Sequence, residues 1–244
     1  MKKAIIVKGL TKKFGAFTAV NAISFEVDRG EIFGFLGANG AGKTTAIKML
    51  NGLSRPSHGS ALVAGWDVYT ETEKIKKEIG YMSQKFSLYD DLSVRQNIRF
   101  YAGIYGLSRK EIKQKTDQIL VELQLESQAN KVVGALPLGW KQRLAFAISK
   151  VHDPKIIFLD EPTGGVDPAT RRQFWEMIYA AADQGCTIFV TTHYMDEAEY
   201  CNRISIMVAG KIEALGTPSE LKSKFNATSM DEVFLNLVRH DPIR

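Results

Sequence analysis

The stretch Gly37-Ala38-Asn39-Gly40-Ala41-Gly42-Lys43-Thr44, "GANGAGKT", decides the fold. It fits the pattern G-x-x-x-x-G-K-[ST], follows the apolar run "EIFGFLG" and opens the helical run "KTTAIKMLNGL", in which Ile47, Met49 and Leu50 are expected to face inward. Glycines allow consecutive backbone N–H groups to wrap an anion, and the helix that follows adds partial positive charge at its N-terminus. Lys43 is then placed to reach the β- and γ-phosphates of a nucleotide, and the Thr44 hydroxyl to ligate Mg²⁺.

Downstream, "KIIFLDEP" carries a strand of four apolar residues into two adjacent carboxylates, Asp160 and Glu161. In a parallel sheet that strand end lies beside the phosphate loop. Asp160 can hold Mg²⁺ directly or through water, and Glu161, one residue on, can polarise an attacking water. Together the two motifs imply a nucleoside triphosphatase.

Other strand signals are "KAIIVKGL", "NAISFEV", "SALVAG", "EIGYMSQ", "TIFVTTH" and "RISIMVAG", with a helix expected from Pro168 to Asp183. Alternating strands and helices imply a mostly parallel sheet that binds ligands at the carboxyl ends of its strands. From Ser93 to about Lys150 the periodicity is helical, with Val94, Ile98 and Tyr101 on one face and Ile112, Ile119, Leu120 and Leu123 on another. This reads as an inserted helical block. Near the end, "SMDEVFLNLV" reads as a helix with a Ser229/Glu232 capping box and an apolar stripe of Met230, Val233, Phe234 and Leu237, expected to pack on its own domain.

With 244 residues, 45% of them hydrophobic, the chain can bury a real core. Its 32 basic and 27 acidic residues leave a formal charge of +5, mixed along the sequence rather than blocked, so no nucleic-acid partner is expected. The two cysteines, Cys186 and Cys201, cannot build a disulfide framework and have no nearby ligand cluster, which fits a reducing cytoplasm. The N-terminal apolar run stops at Val7, too short for a signal peptide, and no stretch approaches the roughly 20 apolar residues of a membrane-spanning helix. Action at a membrane would require another polypeptide or segment.

Taken in order, Phe14 ahead of Gly15, the phosphate loop from Gly37 to Thr45, Gln84 in "YMSQK", "LDEP" at Leu159 to Pro162, "GGVDP" at Gly164 to Pro168 and His193 in "TTH" resemble the motifs of an ATP-binding cassette, the nucleotide-binding domain of ABC transporters. The resemblance runs from Val7 to about Leu221. It implies an α/β P-loop NTPase (RecA-like) core, residues 1–85 and 155–220, with an antiparallel β subdomain; an inserted helical subdomain, 86–154; and a C-terminal helical extension, 221–244. It further implies ATP and Mg²⁺ as ligands. Phe14 would stack on adenine, with Phe17 as a nearby rival. Thr44, Gln84 and Asp160 would hold the metal, Glu161 would position water, and Lys43 and His193 would stabilise phosphoryl charge. Asp167 would join the nucleotide contacts.

Cassettes of this family pair head to tail, each closing the other's ATP with a signature loop that usually reads Leu-Ser-Gly-Gly-Gln. The aligned residues here are Leu136, Pro137, Leu138, Gly139 and Trp140, and "KQRL" behind them matches the family. Pro137 offers neither a hydroxyl nor an N–H. The helix dipole and the N–H groups of Gly139, Trp140 and Lys141 would remain. A lost charge-assisted hydrogen bond is worth roughly 1.5–3 kcal/mol, enough to weaken the clamp without silencing it. The string "LPLGWKQRL" is similar to the signature of certain bacterial type-2 ABC exporters.

The resemblance therefore implies an ATP-hydrolysing exporter subunit, cytoplasmic and peripheral on the inner face of the membrane. Its expected partners are a transmembrane permease and a second cassette, identical or not. The alternatives are a soluble ABC ATPase of the translation or DNA-repair kind and a nucleotide-binding regulatory subunit of a heterodimer.

Overall fold

The computed structural model describes residues 3–240. Two long strands, β1 (Lys3–Phe14) and β2 (Phe17–Asp28), form an antiparallel hairpin. After β3 (Ile32–Leu36) and α1 (Lys43–Leu50), β4 (His58–Val63) pairs with the other edge of β1 and β5 (Trp66–Asp67) with β4, giving a four-stranded sheet of order β2-β1-β4-β5. Then come α2 (Thr72–Glu78), β6 (Ile79–Met82), α3 (Val94–Ile104), α4 (Arg109–Glu122), α5 (Leu138–Ser149), β7 (Ile156–Asp160), α6 (Pro168–Asp183), β8 (Thr187–Thr192), β9 (Arg203–Val208), β10 (Lys211–Gly216), α7 (Pro218–Lys224) and α8 (Met230–His240).

The second sheet has the order β10-β9-β3-β8-β7-β6 and is parallel except at β10. Its inner strands β3, β7 and β8 are buried at every position. They therefore read as unbroken runs, IFGFL, IIFLD and TIFVTT, as strands covered on both faces must. Phosphate loop, Asp160 and Thr192 all follow from the carboxyl ends of adjacent strands, which is what brings distant motifs together.

One core cluster lies between the two sheets. There Ile47, Met49 and Leu50 of α1 meet Val7 and Phe25 of the hairpin, and Phe33, Phe35, Phe158 and Phe189 of the parallel sheet. Phe25 stacks on Phe33 at 5.5 Å. Full burial of each such side chain stabilises by roughly 1.5–3 kcal/mol. On the opposite face, Leu159 and Val190 pack against Phe146 of α5, Phe174 and Trp175 of α6, and Met230 and Val233 of α8. A third cluster, Val94, Ile98, Ile119, Leu120, Leu144 and Ile148, holds the helical block together. Helix α5 serves both of these, Phe146 facing the sheet and Leu144 and Ile148 the block.

Capping boxes Ser93/Gln96 and Ser108/Glu111 start α3 and α4. Two sequence expectations need correction. The boundary set at 220/221 falls inside α7, whose start is fixed by Pro218 and the Thr217/Glu220 box. The Ser229/Glu232 box is half formed: the Glu232 amide donates to Ser229 Oγ at 3.2 Å, while its carboxylate accepts from the Thr228 amide at 2.7 Å. Strands β5 and β10 and helix α2 fall outside the runs that the sequence marks as strands or helices, and α7 straddles the start of the expected C-terminal helical extension. No helix of the described residues is long and apolar enough to cross a membrane.

Candidate nucleotide-binding site

The phosphate loop turns between β3 and α1 with Gly40 at φ 82° and Gly42 at φ 106°. A side chain at Gly42 would be doubly excluded, because its Cβ would stand 2.4 Å from the Ala19 carbonyl oxygen. Lys43 is 4% exposed and folds back, its Nζ donating to the carbonyls of Gly37 (2.7 Å) and Ala38 (3.2 Å) and lying 3.2 Å from Glu161 Oε1.

Glu161, whose side chain is 11% exposed, is the hub of the site. Besides Lys43 it accepts from Gln84 Nε2 at 3.0 Å, and its Oε2 lies 3.1 Å from His193 Nδ1, close but not aligned for a hydrogen bond. Behind it Asp160, 3% exposed, accepts from Thr191 Oγ1 at 2.7 Å and from Thr44 Oγ1 at 3.4 Å. Burial, together with the neighbouring Asp160, pushes the Tyr81 phenol up to about 12, so it stays a neutral hydroxyl beside that carboxylate. A buried carboxylate whose hydrogen bonds come from hydroxyls, with a threonine oxygen beside it, is a hard-oxygen donor set that suits a small divalent cation.

A cleft of about 420 Å³ opens over these groups, lined by Phe17, Ala19, Asn39, Gly40, Gly42, Lys43, Thr44, Thr45, Gln84 and Glu161. The structure thus gathers the loop, the two carboxylates, Gln84 and His193 from four separate stretches of sequence. Phe17 rather than Phe14 lines the cleft. The two rings are direct partners across the end of the β1–β2 hairpin, and Phe14, more than half exposed, lies under the Lys12 ammonium at 5.1 Å.

Leu136 to Trp140 and Asp167 do not reach this cleft. Pro137, Leu138, Gly139, Trp140 and Asp167 line a separate groove of about 500 Å³ between the starts of α5 and α6. Leu136 is buried in the helical block. Pro137 is the residue before α5 and contributes no side-chain cap. Its carbonyl accepts from the amides of Trp140 (3.0 Å) and Lys141 (3.1 Å), so these two N–H groups are already spent within the first turn. This corrects the expectation that both were available to a ligand; Leu138 and Gly139 remain to present theirs. Leu138 is 44% exposed. A Cβ at Gly139 would meet Thr170 Cγ2 at 2.7 Å, which explains the glycine. The Asp167 carboxylate caps α6, accepting from the amides of Ala169 and Thr170 at 3.0 Å each. The Thr170 hydroxyl, ahead of those amides, holds its pKa below the usual aspartate range.

Sequence reasoning missed Tyr81 and Thr191, the partners of Asp160. Both flank residues it did name, Tyr81 three before Gln84 and Thr191 two before His193.

Residues 20–164 match the family described as ABC transporter. The chain is 49% identical over 242 residues to the probable multidrug ABC transporter ATP-binding protein YbhF of Escherichia coli K12, covering 97% of this chain but only 42% of that protein. It is 34% identical over 241 residues to the linearmycin resistance ATP-binding protein LnrL of Bacillus subtilis, covering 95% of this chain and 78% of LnrL. A solved ATP-binding subunit of an ABC transporter superposes with a TM-score of 0.86 at 28% identity, covering 96% of this chain and 99% of that one. Loop, carboxylates and relatives agree: this chain belongs to the ABC transporter family, as an ATP-binding domain.

Proposed function

We propose that the chain is the ATP-hydrolysing subunit of an exporter. The observation that carries the reading is the convergence of Lys43, Gln84 and His193 on the Glu161 carboxylate, directly over the Asp160–Thr44 pair. ATP would enter with its phosphates on the loop amides and Lys43, and its adenine against the hairpin edge that carries Phe17 and Phe14. Mg²⁺, held by Thr44 and Asp160 with Gln84 completing its shell, would neutralise charge on the transferring phosphoryl group. The incoming phosphate competes for Lys43, which frees the Glu161 carboxylate to orient water and accept its proton. His193, already beside that carboxylate, contributes a ring N–H to the developing charge.

The signature groove lies apart from the chain's own cleft, which fits closure of each ATP by a second cassette. The relatives' names favour export over the soluble alternatives. The permease would seat beside Gln84, where Phe86 and Leu88 line a groove with Leu138 and Lys141. A permease seated there would hold the chain on the inner face of the membrane.

Lys43→Ala is expected to abolish ATP turnover while leaving the circular dichroism spectrum and the melting temperature near those of the parent. A variant that still turns over ATP at the parent rate would refute the site.

A further inference from the structure

Glu161 stands in the left-handed region at φ 50°, a conformation costly for any residue with a Cβ and kept only where the surroundings over-determine it. Tethers act on three successive residues. The Glu161 amide donates to both the carbonyl and the hydroxyl of Thr191, at 3.1 Å each. The Pro162 carbonyl accepts from Nε2 of Gln142, fully buried in α5. The Thr163 hydroxyl donates to Oε1 of Glu197.

Glu197 is the unexpected member. It is completely buried, four residues after His193, in the 3₁₀ segment Met195–Tyr200. Its nearest cation is Arg171, whose Nε is 3.6 Å away and whose Nη1 is already bonded to Asp196 at 3.1 Å. Among the described residues no donor is aligned for a hydrogen bond to Glu197 Oε2. Burial pushes its carboxyl above the usual glutamate range, against the lowering effect of the Thr163 and Thr192 hydroxyls. An apolar side chain of similar volume would fill this space without the desolvation penalty, so packing alone does not account for a carboxylate here. What it does achieve is a link between the turn that carries Glu161 and the segment that follows directly on His193.

We propose that Glu197 is a positioning residue: by holding the Thr163 hydroxyl it sets the backbone of Glu161 against His193. The inference rests on the reading of Glu161 as the group that orients water.

The test is steady-state ATP turnover and equilibrium binding of a non-hydrolysable ATP analogue, measured on the full chain. The variants are Glu197→Ala, Glu197→Gln, Thr163→Val, Thr163→Ser, their Ala/Val double and Glu161→Gln. Glu197→Ala and Thr163→Val are each expected to lower kcat roughly 10- to 100-fold, the scale of a misplacement of about 1 Å. KM and analogue affinity should stay within about twofold, since neither residue touches the phosphate loop. Glu197→Gln and Thr163→Ser keep the hydrogen bond and should recover kcat to within about threefold, and the double variant should be no worse than either single, as coupled partners are.

Parent kcat in Glu197→Ala with Glu161→Gln inactive overturns this inference alone. Parent turnover in Glu161→Gln overturns the hydrolytic reading and the inference with it. Loss of analogue affinity in step with kcat, without rescue by glutamine, marks a merely structural role and also overturns it. Should Glu197→Ala fail to fold, the Thr163→Val and Thr163→Ser pair decides: equal kcat in the two refutes the link.

Discussion

Replacing Glu161 with glutamine is expected to tighten ATP binding as well as stop turnover. In the structure the Glu161 carboxylate lies 3.2 Å from Lys43 Nζ, both side chains being largely shielded from water. A triphosphate that comes to Lys43 therefore brings negative charge up to an existing one. At an effective dielectric of about 20, like unit charges roughly 5 Å apart repel by about 3 kcal/mol. Lys43 lies close to both groups and offsets part of this, leaving a net relief of about 1–2 kcal/mol on neutralisation, or roughly 5- to 30-fold in Kd. Titration calorimetry with a non-hydrolysable analogue and Mg²⁺ measures this free of turnover. Equal or weaker binding by Glu161→Gln would refute the argument that the carboxylate and the phosphate compete for one cation.

Phe17→Ala is expected to weaken analogue binding by about tenfold, the scale of one lost base–aromatic stack, and Phe14→Ala by less; the reverse order would return the adenine platform to Phe14. Stability is expected to fall as pH drops below about 6.5, the ordinary histidine value, with His152 as one source. His152 Nε2 bonds the Ile79 carbonyl at 3.0 Å and its ring stacks on Tyr105 at 3.6 Å. Burial holds its pKa below the ordinary value, against Ile79, Asp153 and Glu78, with Lys115 assisting. The unfolded chain thus takes up the proton first, and the stability present above pH 6.5 is lost on acidification. Urea denaturation of His152→Phe at pH 7.5 and 5.5 should show a smaller drop than the parent, and an equal drop would clear His152.

The phosphate side of the cleft was legible because each of its groups sits at a strand end with its own local signature: glycines before Lys43, apolar runs before Asp160 and His193. The buried strands were legible for the same reason. Contacts between groups far apart in sequence were not. Nothing near Thr163 announces Glu197, and nothing near Gln142 announces the Pro162 carbonyl, since each pairing exists only once the sheet has assembled. Hydrogen-bond accounting within a helix turn was likewise invisible. The sequence offers the Trp140 and Lys141 amides as donors, whereas the Pro137 carbonyl accepts from both. The aromatic at the hairpin was ambiguous because Phe14 and Phe17 are cross-strand partners, and only the shape of the cleft favours one of them.

We propose that this cassette, with Leu-Pro-Leu-Gly-Trp in place of the usual signature, still closes over ATP with a second cassette, identical or not, and pairing with a second copy of the chain is the form tested first. Light scattering on purified Glu161→Gln, with and without Mg²⁺ and ATP, tests it most directly, because blocked hydrolysis would hold together any closed pair the chain forms. The account predicts a shift from one copy to two on adding nucleotide. A mass that stays at one copy, with ATP shown by calorimetry to be bound, would contradict it.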